Sequence, residues 1–182
     1  MVARANPFKN IEFALQCVAE LKREACEVHF LLCGDGPYLQ TLKDMAKQLQ
    51  ISELTTFAGR RSDVPSLLQQ CTLAIHPSKG EVGYSLSILE YMQASLPAIV
   101  PDNPSVCGAT VNGATGLTYP EGNVQAACLA IRQILEHPET AKNMGDAACK
   151  LMNEKYLLEH THNALIESFE AIDKDRQLDN VR

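Results

Sequence analysis

Apolar residues recur along this chain with two alternating periods. Steps of three or four place Ile11, Leu15, Val18 and Leu21 on one helical face, then Leu39, Leu42, Ala46 and Leu49, then a stripe from Val124 to Leu135. Between the stripes lie apolar runs of strand length: His29 to Cys33 (HFLLC), Thr55 to Ala58 (TTFA), Leu73 to His76 (LAIH), Ala98 to Val100 (AIV) and Gly116 to Tyr119 (GLTY). Strands that alternate with helices form βαβ units, and their near-continuous apolar character suits a parallel sheet covered on both faces. The predicted class is α/β, a doubly wound parallel sheet. From Asn123 onward the pattern is almost all helix, with breaks at His137-Pro138 and near Asn153 to Lys155. Residues 1–172 read as one domain, and the polar end DKDRQLDNVR, 173–182, is expected to fray. The opening VAR reads as the end of a strand running into a loop, which suggests that residues upstream have been removed or never existed.

Ligands of such sheets bind outside the carboxyl ends of the strands, so the loops that follow them carry the functional reading. In the first, Arg4-Ala-Asn-Pro-Phe-Lys9, two cations flank a proline, and an Arg fork with a Lys point charge suits a diphosphate as well as it suits solvent. The second, Gly34-Asp35-Gly36-Pro37, begins like a dinucleotide fingerprint, but its third glycine would fall at Leu39. A turn that opens a helix with Pro37 at its first position explains it equally. In the third, Gly59 admits a close approach at a strand end beside Arg60 and Arg61, and Ser62 is expected to cap the next helix. The fourth, HPSKGEVGYSLSILE, carries Glu81 and Gly83 into a helix that begins near Ser85 to Ser87 with Glu90 on its first turn. Helix-start amides suit phosphate or sugar oxygens, and glutamates accept from vicinal hydroxyls. Ser87-Ile-Leu-Glu90 also matches a capping box, which would keep Glu90 structural.

Composition narrows the partners. Sixteen basic against 22 acidic residues give a net charge of −6, so nucleic acid and anionic membrane are poor candidates, and only a small anion is left for the local cations. With 5 % aromatics and no Trp, a base-stacking platform is disfavoured. No stretch has the roughly 18–20 apolar residues of a spanning helix. Seven cysteines, odd in number and without a CxxC pair, fit a reduced cytoplasmic setting rather than a zinc or disulfide framework. The five histidines lack zinc spacing, Asp173-Lys-Asp175 lies in the polar end, and no metal or other cofactor is expected. His76, at a strand end, reads as a packing residue.

Taken in order, Arg4…Lys9, Gly34-Asp-Gly-Pro37, Phe57-Ala-Gly59, Pro77-Ser78, Glu81…Leu89-Glu90-Tyr-Met92, Leu96-Pro97-Ala-Ile-Val100 and Asn112-Gly113-Ala-Thr-Gly116-Leu117 resemble the C-terminal half of a GT-B glycosyltransferase of family 4, from about residue 2 to about 170. The resemblance implies a retaining hexosyltransferase that uses a nucleotide-sugar donor. It implies that Arg4 and Lys9 hold the donor diphosphate and that Glu90, the second acid of an E-x7-E signature, binds the ribose hydroxyls. The first acid, on the transferred sugar, should stand at Val82. Glu81 is one residue further from Glu90 and takes that role only if the turn absorbs the extra residue. Gly34, Gly59, Arg60, Gly83, Tyr84, Ser85 and Leu86 would complete the donor site. After the next strand the chain reads Asp102-Asn-Pro-Ser-Val-Cys-Gly108, which departs from the family's glycine-rich step.

The resemblance also implies an N-terminal acceptor domain outside this sequence. A glycan or glycolipid acceptor and any peripheral contact with the inner face of a membrane would belong to it, and the present domain alone would bind donor but transfer sugar poorly. Polysaccharide, lipopolysaccharide or glycolipid assembly follows as the process. Two other readings stay open: a non-catalytic binding or scaffold module of the same fold, and an NAD(P)-binding oxidoreductase, which the broken fingerprint disfavours. The nucleotide (UDP, GDP or ADP), sugar and acceptor are not legible.

Overall fold

The computed structural model describes residues 1–179. Each apolar stripe becomes a helix and each apolar run a strand, in the order α1 (Ile11–Arg23), β1 (Phe30–Cys33), α2 (Leu39–Gln48), β2 (Thr55–Gly59), α3 (Val64–Leu68), β3 (Ala74–Ile75), α4 (Leu86–Gln93), β4 (Ala98–Pro101), α5 (Pro104–Cys107), β5 (Gly116–Tyr119), α6 (Val124–Glu136), α7 (Pro138–Lys155) and α8 (Leu158–Asp179). α1 buries Ile11, Leu15, Val18 and Leu21 along the predicted face. The Asn123 side chain caps α6 by accepting from the Ala126 N–H, and Pro138 starts α7, where its missing N–H costs nothing.

Every strand pair is parallel, but among the described residues the strands form two hydrogen-bonded sheets, β1-β2 and β3-β4-β5, rather than the single sheet expected. The opening residues run along β1: Cys33 donates to the Met1 carbonyl (2.9 Å) and Ala3 donates to the Cys33 carbonyl (3.0 Å). Gly34 donates instead to Gly59 (2.8 Å), and since successive residues of a strand point their backbone groups to opposite edges, Met1–Ala3 lie on the side of β1 away from β2. The Val2 N–H reaches across to the Tyr91 phenol of α4 at 2.7 Å.

The double winding shows in β4. Ile99 packs into the layer of α1, α2 and α6, while Ala98 and Val100 pack with Ile88, Tyr91 and Met92 of α4. Alternate residues of one strand thus enter two cores, as the period of 2 requires, and burying a side chain such as Ile99 contributes about 1.5–3 kcal/mol.

Three local expectations are corrected. Pro37 lies in a turn, and α2 starts at Leu39, whose N–H donates to the Gly36 carbonyl (3.1 Å). Ser62 does not cap α3: Asp63 occupies that position, and its carboxylate is held by Arg61 at 2.8 and 2.6 Å instead of capping. The stretch expected to fray from 173 is helical in α8 up to Asp179, and 180–182 lie outside the described residues.

Candidate functional site

Because the strands are parallel, the loops after the opening segment, β1, β2 and β3 gather at one end. There Arg4, Gly34, Arg60, Leu86, Ser87 and Glu90 line one cleft of about 650 Å³. The glycines of its floor have a structural cause. A Cβ on Gly34 would lie 1.8 Å from the Ala3 carbonyl oxygen, and one on Gly36 would lie 2.3 Å from that of Ala5. The backbone of the opening segment lies directly against this loop, tied by Ala5 N–H to the Asp35 carbonyl (3.0 Å) and Tyr38 N–H to the Ala5 carbonyl (3.1 Å). Gly59 has open space where a side chain would stand, and its φ of +66° is what calls for glycine.

Arg4 and Arg60 are exposed and have no ion-pair partner among the described residues, whereas neighbouring Arg61 is taken by Asp63. The capping box does not form. α4 begins at Leu86 with Ser85 in the capping position, so Ser87 is already helical and Glu90 stands past the first turn. Its carboxylate, free of hydrogen bonds among the described residues, lines the cleft; the residue is exposed to solvent, and partial desolvation by the cleft walls raises its pKa above the ordinary value.

Beside the cleft the acid and base are paired. Lys9 closes a single turn of 3-10 helix, Pro7–Lys9, that is capped by Asn6. Its Nζ donates to both oxygens of Glu81, at 2.6 and 2.8 Å. His76 Nε2 lies 2.7 Å from Glu81 Oε1 and 3.2 Å from Ser85 Oγ. Burial pushes the Glu81 carboxyl up, but the hydrogen bonds from His76 and Lys9 outweigh it and hold the pKa at about 2. Val82, where family spacing puts the first acid, is fully exposed, and Gly83 turns with φ +71°. Val82 and Gly83 bow outward, and Glu81 points inward to Lys9 and His76. Glu81, Gly83 and Tyr84 border a second hollow of about 380 Å³ with Pro104, Ser105 and Gly108. The Tyr84 ring meets Tyr156 edge to face at 4.8 Å.

The predicted residues therefore fall into two adjoining groups, Arg4, Gly34, Arg60, Leu86 and Glu90 in the cleft and Lys9, Glu81 and Ser85 in the clamp, so Arg4 and Lys9 do not line the same hollow. Gly59 shapes the turn that presents Arg60. His76, read from sequence as a packing residue, belongs to the clamp; its place at the carboxyl end of a strand was the signal available. An apolar cavity of about 440 Å³ at the opposite ends of β1 and β3, walled by Phe30, Leu73 and Ile75, contains none of these residues.

Comparison with known proteins agrees with this geometry. Residues 1–151 match the family described as "Glycosyl transferases group 1", and the chain belongs to that family. It is 28% identical over 159 residues to the alpha-D-kanosaminyltransferase of Streptomyces kanamyceticus, covering 86% of this chain and 41% of that protein. Identity to the N-acetyl-alpha-D-glucosaminyl L-malate synthase of Bacillus anthracis is 26% over 164 residues, covering 90% of this chain and 42% of that one. The chain thus spans about two fifths of the length of these relatives. Among solved structures, that of Anabaena Alr3699/HepE in complex with UDP superposes with a TM-score of 0.85 at 19% identity, over 93% of this chain and 47% of the other, which shows the shared fold.

Proposed function

We propose that this chain is the nucleotide-sugar-binding part of a retaining hexosyltransferase whose acceptor, a glycan or glycolipid, is bound by other parts of a longer protein. The observation that carries the reading is the cleft itself. Unpaired cations, Arg4 and Arg60, and an unpaired carboxylate, Glu90, share one hollow at the carboxyl ends of parallel strands, beside the start of α4. A nucleoside diphosphate needs this combination: cations and amides for the phosphates, and an acceptor for a ribose diol. The name of one relative, a kanosaminyltransferase, and the UDP in a structural neighbour support it.

In this scheme Arg4, with Arg60 and the first amides of α4, neutralises the charge that grows on the diphosphate as its oxygen takes the electron pair of the bond to the anomeric carbon, while Lys9 stays with Glu81. Glu90 accepts from the ribose hydroxyls and Glu81 from the transferred sugar. Charge compensation is assigned to these groups, with no metal in the scheme. Seven free thiols support a reducing, cytoplasmic setting. No helix among the described residues is long and apolar enough to cross a membrane.

Calorimetric titration with UDP, GDP, ADP and NAD tests the proposal. One nucleoside diphosphate should bind, about tenfold more weakly in Arg4→Ala and in Glu90→Ala, a loss of about 1.4 kcal/mol each. Arg61→Ala, whose native side chain is held by Asp63, should change affinity less. Preference for NAD, no binding at all, or equal affinity in the Arg4 and Glu90 variants would overturn the reading.

A further inference from the structure

We propose that His76 is a positioning residue, which holds Glu81 toward the donor sugar and ties it to the start of α4; this deepens the function proposed above and rests on it. His76 follows β3 directly and is wholly buried, its ring edge to face with Tyr91 at 6.3 Å between centroids. Nδ1 is buried without any partner, while Nε2 serves both Glu81 and Ser85. An ionised carboxylate can only accept, so the ring hydrogen belongs on Nε2, and the bare Nδ1 has nothing to donate to. Packing alone does not account for a histidine here, because an apolar side chain would fill the space without leaving a buried nitrogen unpaired.

Ser85 gives the second, independent observation. A serine in the capping position ordinarily accepts from an amide of its own helix. Ser85 makes no such bond, and its hydroxyl lies within reach of His76 Nε2 instead. One nitrogen therefore gathers both ends of the bulge, Glu81 and Ser85, while Val82 between them is in solvent and Gly83 takes the left-handed turn. This is how a loop with one residue more than the family spacing keeps its acid inward. Lys9 by itself, on a flexible four-carbon stem, would let the carboxylate swing.

A positioning role separates from a packing role by which ligand feels the change. Using the full chain, affinities are measured by calorimetry for UDP, GDP and ADP and for their glucose, N-acetylglucosamine and mannose conjugates, in the wild type, His76→Gln and His76→Leu. The amide nitrogen of Gln reaches roughly where Nε2 stands; Leu has no donor. The expected result is unchanged affinity for the bare diphosphate, an approximately tenfold loss for the preferred conjugate in His76→Leu, and recovery of most of that loss in His76→Gln. Equal losses for diphosphate and conjugate in both variants, or no loss in His76→Leu, would overturn the proposal. Absence of nucleotide binding by the wild type would overturn the function proposed above, and the tautomer then decides alone. In long-range ¹H–¹⁵N spectra, hydrogen on His76 Nε2 with a resonance that moves in Glu81→Gln supports the proposal, and hydrogen on Nδ1 refutes it.

Discussion

Two carboxylates one loop apart have opposite surroundings. Glu81 is met by Lys9 on both oxygens and by His76 on one, and its pKa lies far below the ordinary range. Glu90, exposed to solvent, has no partner among the described residues and a raised pKa, partial desolvation by the cleft walls being the cause. The clamp is a finished arrangement in which charge is already neutralised, while the cleft with Arg4, Arg60 and Glu90 keeps its charges unpaired. The difference teaches how one site divides its work. On the proposed function, the group that would point the ligand is fixed in advance, and the groups that would bind it are left with electrostatic capacity unspent.

The largest expected effect comes from the floor of the cleft. Gly36→Ala forces a Cβ against the Ala5 carbonyl oxygen, a backbone atom that cannot rotate away. The expected cost is about 3 kcal/mol, a fall in melting temperature of roughly 6–12 °C for a chain of this size. A fall of under about 2 °C in a thermal melt would show that the opening segment is not held where it is seen, and Arg4 with it.

The next effect separates the two acids by pH. The Glu81 pKa is depressed from 4.5 to about 2, so its contribution to stability is complete above pH 4.5 and is lost as pH falls toward 2. Discounted for partial solvent screening, that loss is on the order of 1–2 kcal/mol. Denaturant melts from pH 6 to pH 2 should show the decline, and Glu81→Gln should remove most of it. An equal slope in wild type and Glu81→Gln would show that the clamp carries no net charge pairing.

Much of this was legible before any coordinates. All five strand runs and the three helical stripes are where the apolar periods put them, because burial on both faces of a parallel sheet leaves a strong signal. The start of α4 lies within the Ser85 to Ser87 window that the sequence indicates, but the capping-box alternative at Ser87-Ile-Leu-Glu90 does not form, and spacing alone could not decide between Ser85 and Ser87 as the boundary. Gly34 and Gly36 read as a turn, but their necessity comes from Ala3 and Ala5, far away in the chain. His76 escaped for a similar reason. It bonds Glu81 five residues on, across an irregular loop, and such loops leave no period.

Glu90 offers a sharper test, smaller in size. An ionised acid held without a partner is a cost to the folded chain, since its raised pKa means that the folded state disfavours the charge at neutral pH. Because Glu90 is exposed and solvent screens its charge, Glu90→Gln should leave stability at pH 7 unchanged or slightly higher, within about 0.5 kcal/mol, while weakening nucleoside diphosphate binding. Paired melts and titrations check both signs on one variant. A loss of stability would mean that Glu90 has a structural partner after all and that the two regions differ less than they appear.

The smallest expected effect is the most telling about register. Val82 stands where the family's spacing calls for the sugar-facing acid, yet its side chain is entirely in solvent. Val82→Ala should leave stability within about 0.5 kcal/mol of the wild type, because an exposed side chain with no contacts has nothing to lose, and should leave affinity for a nucleotide-sugar unchanged. If calorimetry showed a tenfold loss instead, residue 82 would have to face the ligand when it binds. The bulge would then flip on binding, Glu81 would turn away with it, and the pairing of Lys9 with Glu81 would belong to the ligand-free loop alone.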